Sequence, residues 1–239
     1  MRLTILGGRG AWPTATEACS GYLLQHDGYT ILLDPGYGTA QVLQEYVTPE
    51  EVDAVVVTHG HPDHCADLNP LLRARAFGER DPAPLAVHAP DGALDAVLAL
   101  DRPAMLAGGY TMTRELGPFA LRTWDLPHHV PNHGVRLSAG GKVFAYTGDT
   151  GPTPDLVELA RGADLFLAEA TYPETVPGED LPYLSTARQA GSNAAKAGAG
   201  RLVLTHLWPG LPYESSIEVA AEEYAGPVDA ATPRLVIEV

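Results

Sequence analysis

Residues 58–64 read THGHPDH and place three imidazoles and a carboxylate within six positions. The apolar run directly before them predicts a buried strand. Because successive side chains of an extended chain point to opposite sides, His59 and His61 lie on one side, while Asp63 and His64 can turn toward a second point nearby. Imidazole nitrogen and carboxylate oxygen are zinc ligands, and paired ions in hydrolytic sites lie about 3.5–4 Å apart. The stretch therefore predicts two metal ions.

Length and composition bound the architecture. The chain has 239 residues, of which 45% are hydrophobic and 19% charged, which is typical of a globular enzyme. The apolar segments are spread evenly with no linker between them, so we expect one domain over residues 1–239. The 25 glycines and 21 prolines indicate many turns and a mixed α/β scaffold rather than a helical bundle.

The net charge and the number of cysteines indicate which binding partners and which cellular compartment to expect. The net charge of −15 argues against nucleic acid as a partner, because phosphate backbones bind cationic surfaces, and favours a small-molecule substrate. Cys19 and Cys65 are too few for a disulfide framework, and the sequence shows no leader or 18-residue apolar run. We expect a reduced, cytoplasmic protein without a membrane segment, and the sequence leaves a homodimer open.

The periodicity predicts strands mixed with helices in both halves of the chain. This pattern is typical of two sheets packed face to face with helices outside, a four-layer αββα sandwich. Asp91 is the expected N-cap of a short helix, and the segment Asp101–Leu116 has no clear period, which suits a cover over a pocket or a plain surface loop. The predicted strands are 3–6, 21–25, 29–34, 53–58, 85–88, 120–124, 135–138, 143–147, 164–169, 201–205 and 233–239, and the main predicted helices are 39–46, 153–162, 185–197 and 215–224.

Further candidate ligands follow later predicted strands. His128 and the neighbouring His129 and His133 lie between two strands, Asp149 follows the strand at 143–147, and His206 ends another. Strand ends at one rim of a sandwich let a rigid backbone direct several side chains to one point. A pair of metal ions needs about as many ligands as these positions and the first cluster supply.

With these motifs the chain resembles the metallo-β-lactamase superfamily of hydrolases, and within it the phosphodiesterase branch that includes the tRNA 3′-processing endonucleases (ribonuclease Z-like proteins). The resemblance covers residues 1 to about 210. It implies the αββα fold and a dinuclear site, with two zinc ions or with manganese or iron. The motifs that carry it are His59-x-His61-x-Asp63-His64, Leu32-Leu33-Asp34-Pro-Gly-Tyr-Gly38, His128-x-x-Pro131-x-x-Gly134-x-Arg136, Tyr146-Thr-Gly-Asp149-Thr150, Glu169-Ala-Thr171 and the lone His206.

The resemblance also implies a role for each ligand. His59, His61 and His128 would hold one metal, Asp63, His64 and His206 the other, and Asp149 would bridge them. A hydroxide shared by both ions would attack the substrate, because metal coordination lowers the pKa of water from 15.7 to about 7. Asp34 would orient a ligand imidazole through its other nitrogen. The third histidine is selected only by its H-x-x-P-x-x-G spacing, so His129 stays an alternative to His128.

Two features depart from the family pattern. The interval between His128 and Asp149 is too short for the tRNA-gripping arm of the RNA-processing relatives. Those relatives also carry a histidine before the Ser-Thr of the late helix, paired with the acidic residue of the Glu-Ala-Thr segment, and here Tyr183 takes its place. We therefore treat Tyr183 and Glu169 as candidate catalytic residues beside Asp63. A tyrosine with a pKa near 10 is a weaker proton donor than imidazolium at neutral pH.

Several functions fit these residues. The leading hypothesis is a metal-dependent phosphodiesterase that acts on small phosphodiesters such as cyclic nucleotides. A lactonase, thioesterase or β-lactamase on the same metal site is the alternative, although lactone-cleaving relatives usually place a tyrosine shortly after the bridging aspartate, where this chain has Thr150-Gly151-Pro152. A diiron oxidoreductase would carry glutamate in place of His61 and a flavin domain, and an inactive metal-binding module would not need all seven ligands.

Overall fold

The computed structural model describes residues 1–80, 82–106 and 108–239. Its strands, in chain order, are β1 (Arg2–Arg9), β2 (Ala18–Cys19), β3 (Gly21–His26), β4 (Tyr29–Leu33), β5 (Ala54–Val56), β6 (Leu85–His88), β7 (Tyr110–Met112), β8 (Ala120–Leu126), β9 (Asn132–Ala139), β10 (Lys142–Tyr146), β11 (Leu165–Glu169), β12 (Leu202–Thr205), β13 (Val228–Ala230) and β14 (Val236–Glu238). The α-helices are α1 (Thr39–Leu43), α2 (Pro62–Cys65), α3 (Leu68–Phe77), α4 (Asp95–Leu98), α5 (Pro103–Leu106), α6 (Asp155–Ala160), α7 (Ala187–Ala197) and α8 (Tyr213–Glu223). Two 3₁₀ turns lie at Pro49–Glu51 and Gly178–Asp180.

The strands form two mixed sheets. One has the order β14-β1-β3-β4-β5-β6-β7, with β2 paired to β1, and the other has the order β13-β12-β11-β10-β9-β8. The pairs β4–β5, β5–β6, β10–β11 and β11–β12 are parallel, so these strands end at the same edge of their sheet. The residues that follow β5, β10 and β12 are the ones in which the sequence places ligands.

Three apolar layers hold the sandwich together. Alternate residues such as Tyr22 and Leu24 of β3 and Val135 of β9 face the layer between the sheets. The opposite faces pack against helices, with Leu23 facing the layer under α1 and α3, and Phe166 facing the layer under α6 to α8. The period of two along each strand thus separates an inner core from two outer ones. The arrangement confirms the predicted four-layer αββα sandwich.

Helix α7 shows how individual residues determine where an element begins and ends. The side chain of Thr186 accepts a hydrogen bond from the Gln189 backbone N–H, and the Gln189 side chain accepts one from the Thr186 N–H. This capping box satisfies two otherwise unpaired donors and begins α7 at Ala187 rather than at the predicted Ser185. Gly198 ends the helix in the left-handed conformation with a φ of 63°.

Some expectations were wrong. Asp91 is not the N-cap of α4, which begins at Asp95 after Leu94, because residues 91–94 form a turn. The segment Asp101–Leu116, expected to be a pocket cover or a surface loop, contains the helix α5 and the edge strand β7 beside β6; position 107 lies outside the described residues. The sequence analysis also missed the short strand β13. Among the described residues, none of the helices has the length and apolar composition to cross a bilayer.

Candidate metal centre

Seven side chains from five strand ends and helix starts meet in two overlapping groups. The first consists of His59, His61, His128 and Asp149, and the second of Asp63, His64, Asp149 and His206. Within each group, one nitrogen or oxygen atom per residue lies within 4.8 Å of all the others. The structure therefore brings together all seven residues that the sequence suggested as ligands, and only Asp149 belongs to both groups, as expected of a bridging residue.

The first group is built around the His61 imidazole. Its Nδ1 lies 3.1 Å from Nε2 of His59 and 3.1 Å from Nε2 of His128. Two nitrogens that are each about 2.0–2.1 Å from one tetrahedral ion lie about 3.3 Å apart, so these spacings suit three ligands of a single cation. Asp149 Oδ2 approaches from the other side, at 3.7 Å from His59 Nε2 and 3.8 Å from His128 Nε2.

The second group is deeper in the protein. His206 Nε2 lies 3.0 Å from Asp149 Oδ2 and 3.3 Å from Asp63 Oδ2, and His64 Nε2 lies 3.2 Å from Asp149 Oδ1. Asp63 is held in place by the backbone N–H of Ala11, which donates to Oδ2 at 2.7 Å. Gly10 lets the loop that carries Ala11 pack directly against His206, because a Cβ at position 10 would lie 2.6 Å from Cε1 of that imidazole.

Asp34 orients two of the candidate ligand histidines, His64 directly and His59 through Thr58. Its Oδ2 accepts hydrogen bonds from His64 Nδ1 at 2.8 Å and from the Thr58 hydroxyl at 2.7 Å. Since the single hydroxyl proton of Thr58 goes to Asp34, His59 Nδ1 must donate to Thr58 Oγ1 across their 3.0 Å contact. The Tyr146 hydroxyl also donates to Oδ2, at 2.7 Å. Asp34 thereby leaves Nε2 of both histidines free to bind metal, which confirms its expected orienting contact.

Glu169 and Thr171 provide the same arrangement for His206. The Thr171 hydroxyl donates to Glu169 Oε1 at 2.6 Å and lies 2.9 Å from His206 Nδ1. The hydroxyl proton is committed to the carboxylate, so His206 Nδ1 donates to Thr171 and its Nε2 carries the lone pair. His206 adopts a φ of 54°, a costly conformation for a residue other than glycine, to meet this partner.

The structure distinguishes the two candidates for the third histidine. The side chain of His128 is only 2% exposed, and its Nδ1 donates to the backbone carbonyl of Tyr183 at 2.9 Å, which again leaves Nε2 facing the metal group. The side chain of His129 is 43% exposed and its Nε2 lies 3.5 Å from Asp180, so it is outside both groups. His133, the third candidate, stacks on His88 with ring centroids 5.6 Å apart.

The two suggested catalytic residues other than Asp63 lie beside the groups. The ring of Tyr183 packs on that of His129, with centroids 4.1 Å apart. The backbone carbonyl of Tyr183 accepts the hydrogen bond from His128. Glu169 is buried, and besides Thr171 it accepts hydrogen bonds from the backbone N–H groups of Thr150 at 2.6 Å and Ser185 at 2.9 Å. Its carboxylate thus joins three loops under the site. These contacts are positioning contacts, and a direct part in proton transfer stays a prediction for both residues.

Burial and charge act against each other in the site. Burial and the neighbouring histidines hold the pKa of His59 well below its usual value. Burial also opposes the charged form of Asp149, yet His206 and His64 lower the pKa of this carboxyl well below its usual range. Burial likewise opposes a charge on His64, but Asp149 and Asp63 raise its pKa. The two buried carboxylates thus favour positive charge next to them, whether on His64 or on a bound cation.

The donor set fits a pair of divalent cations. Asp149 Oδ1 and His64 Nε2 are buried, and neither has a hydrogen-bond partner in the described part of the chain. A buried polar atom without a partner is costly unless an ion or water meets it. Five imidazoles and two carboxylates match the ligands of zinc, and manganese or iron accepts the same atoms.

Several supporting residues could not be recognised in the sequence. Thr58 and Thr171 set the tautomers of two ligands, and Tyr146 supports Asp34. The available signal was position, since Thr58 immediately precedes His59 and Thr171 follows Glu169 by two residues. Cys65, which directly follows His64 in the sequence, is buried at the end of α2 and lies outside both groups.

Comparison with known proteins agrees with this geometry. Residues 15–206 match the family described as the Metallo-beta-lactamase superfamily. The probable metallo-hydrolase YhfI of Bacillus subtilis is 32% identical over 213 residues, which cover 87% of each chain, and its crystal structure superimposes with a TM-score of 0.89 over 99% of both chains at 28% identity. A ribonuclease Z of Kineococcus radiotolerans is 32% identical, covering 93% of this chain and 88% of its own.

A more distant structure shares the fold. The short form of human tRNase Z superimposes with a TM-score of 0.81 over 100% of this chain and 99% of its own, at 23% identity. The family match covers most of the chain, and its residues include both metal groups. The chain is therefore a member of the metallo-β-lactamase superfamily and a metal-dependent hydrolase.

Proposed function

We propose that the protein is a dinuclear phosphodiesterase that hydrolyses small phosphodiesters such as cyclic nucleotides. The observation that carries the proposal is the sharing of Asp149 by two complete donor groups, because paired cations stabilise the attacking and leaving oxygens of a displacement at phosphorus. Bound in these groups, two divalent cations would supply Lewis acidity and a water of lowered pKa. The similar protein from Kineococcus radiotolerans is named a ribonuclease, an enzyme that cleaves phosphodiester bonds, and this supports the same bond type here.

The hairpin between the two halves of the site favours a small substrate. The strands β9 and β10, which separate His128 from Asp149, pair directly through a turn at Gly140 and Gly141. Both glycines have positive φ, at 57° and 77°, as a tight two-residue hairpin requires. The alignment with the ribonuclease Z covers 279 positions, more than the 239 residues of this chain, so that protein has segments without a counterpart here.

The residues of the chain divide the remaining tasks. Asp34, Thr58 and Thr171 fix the tautomers of three ligand histidines, so the site needs little reorganisation when it is loaded. The strand ends provide a rigid frame for the reacting groups. Tyr183, at the rim beside His129, is the candidate for a contact to substrate through its hydroxyl.

A parallel assay tests the proposal. Purified protein, loaded in turn with zinc and with manganese, is supplied with a generic aryl phosphodiester, a cyclic nucleotide, a lactone, a thioester and a β-lactam. We expect the highest kcat/KM for one of the phosphodiesters. A lactone, thioester or β-lactam turned over at a higher kcat/KM than both phosphodiesters would replace the proposal with the corresponding hydrolase.

A further inference from the structure

Three aromatic rings form a corner beside the second metal group. The rings of Trp12 and Trp208 meet edge to face, with centroids 5.0 Å apart and an interplanar angle of 85°. Tyr172 lies nearly parallel to Trp208, at 5.4 Å and 24°. We call these three residues the aromatic corner. Trp12 is 46% exposed, whereas Trp208 and Tyr172 are partly buried against each other.

The backbone connects the aromatic corner to the metal ligands. Trp12 follows Ala11, whose N–H donates to Asp63, and Gly10 packs against the imidazole of His206. Trp208 is two residues after His206, and its N–H donates to the carbonyl of Thr171 at 3.1 Å. The backbone segments that carry Trp12 and Trp208 are therefore the same segments that contact Asp63 and His206.

A buried arginine holds the backbone of the segment that carries Trp208. Arg9, only 6% exposed, donates to the carbonyl of Leu211 at 3.2 Å and approaches that of Trp208 at 3.5 Å. Its Nε donates to Glu17 at 2.8 Å, and its guanidinium lies 4.1 Å from the centre of the Tyr213 ring. Trp12 packs edge to face on the Trp208 ring that this segment carries, and a preorganised surface loses little conformational entropy on binding.

The geometry limits what the corner can accept. A ring inserted between two others would separate them by about 7 Å, since stacked rings contact at about 3.5–4 Å. Tyr172 and Trp208 are closer than this and are already in contact, so the open surface is the exposed part of Trp12. A flat apolar surface beside a cation pair suits a molecule that has both an aromatic ring and a phosphate ester.

We propose that the aromatic corner is a base-binding subsite, in which Trp12 stacks on the nucleobase of a nucleotide while the phosphate lies at the metal groups. The inference rests on the proposed function and deepens it, because it makes the substrates nucleotide esters rather than phosphodiesters in general. Stacking of a base on an aromatic side chain contributes about 1–3 kcal/mol, which corresponds to about 5- to 150-fold in affinity.

Calorimetric titration of the metal-loaded protein with two probes tests the subsite. Adenosine 5′-monophosphate and ribose 5-phosphate carry the same phosphate, but only the first has a base. We expect the nucleotide to bind at least about 5-fold more tightly, and Trp12→Ala to remove most of that preference. Trp12→Phe retains an aromatic face and should keep part of it. Phe77→Ala is the matched control, because Phe77 is 61% exposed and lies on α3, outside the aromatic corner.

The outcomes separate this inference from the proposed function. Equal affinity for the two probes, no binding of the nucleotide, or an equal loss of both affinities in Trp12→Ala would overturn the subsite, even if phosphodiesters are hydrolysed. A base preference that depends on Trp12 in a protein that hydrolyses no phosphodiester would overturn the proposed reaction and leave the subsite standing.

Discussion

The hydroxyl of Thr171 lies 2.9 Å from Nδ1 of His206, and its proton is donated to Glu169. This contact determines which nitrogen of His206 faces Asp63 and Asp149. The same carboxylate–threonine–histidine order recurs at Asp34, Thr58 and His59 in the other metal group. Each group thus has one ligand oriented through a hydroxyl, and each relay is anchored on a buried carboxylate.

Removal of the Thr171 hydroxyl should weaken the second metal group. Thr171→Val keeps the shape of the side chain but loses the acceptor for His206 Nδ1, so the imidazole can turn or change tautomer. We expect about 10- to 100-fold weaker binding of one of the two ions, measured by metal titration of chelator-treated protein. Thr171→Ser retains the hydroxyl and is the control. Equal metal affinity in the valine and serine variants would show that the relay does not position His206.

The proposed bridging role of Asp149 predicts a larger effect of substitution there. Asp149→Asn removes the charge that the two groups share and one of the two acceptor oxygens, of which Oδ2 lies 3.7 Å from His59 Nε2 in the first group and Oδ1 lies 3.2 Å from His64 Nε2 in the second. We expect kcat/KM to fall by at least about 100-fold and metal content to fall from two ions per chain. Retention of both ions at unchanged affinity would mean that Asp149 is not a shared ligand.

The close packing of Gly10 on His206 gives a steric prediction. Gly10→Ala would place a Cβ 2.6 Å from Cε1 of the imidazole, so the loop or the ligand must move. Overpacking of this kind costs about 1–3 kcal/mol in the free energy of unfolding, and here it should also lower metal affinity. Gly178→Ala meets no atom within 4 Å and serves as the control. Urea unfolding and metal titration should show a lower free energy of unfolding and weaker metal binding for Gly10→Ala than for Gly178→Ala. Equal values for the two variants would contradict this prediction.

His88 predicts a dependence of stability on pH. Burial, together with Arg114 and His133, lowers the pKa of His88 to about 4, whereas an unfolded histidine titrates near 6.5. The unfolded chain therefore binds more protons between these values, and the free energy of unfolding decreases as the pH falls from about 6.5 toward 4. His88 should account for about 1–3 kcal/mol of that decrease.

Urea unfolding of chelator-treated protein at pH 7 and pH 5 measures this contribution. The decrease should be smaller in His88→Phe, which keeps a flat ring against His133 but cannot titrate. An identical decrease in the variant and in the original protein would show that His88 contributes nothing to it. The chelator removes the effect of metal release from the comparison.

Most of the fold could be predicted from the sequence. The hydrophobic period and the glycine, proline and capping residues that end each element indicate the same boundaries along most of the chain. The run before Thr58 and the cluster after it specify a strand and its ligands locally. The strands β7 and β13 were not predicted. Each has only three residues, and each is held by pairing with a strand from another part of the sequence, β6 and β12 respectively. Asp91 resembles a cap by residue type, but the backbone of residues 91–94 turns before α4 begins.

The site was predictable in its ligands and not in their supports. Spacing selected His128, but only the fold shows why, since the Tyr183 carbonyl orients His128 while His129 points toward Asp180. The contact between Thr171 and His206 joins residues 35 positions apart, and that between Tyr146 and Asp34 joins residues 112 apart. Such hydrogen bonds carry no local pattern in the sequence, so they required the structure.

Anomalous diffraction from crystals grown with zinc tests the central claim most directly, namely that the two groups hold a pair of cations sharing Asp149. We predict two peaks about 3.5–4 Å apart, one among His59, His61 and His128 and the other among Asp63, His64 and His206, with Asp149 between them. A single peak, or two peaks of which either is beyond bonding distance of Asp149, would contradict the account.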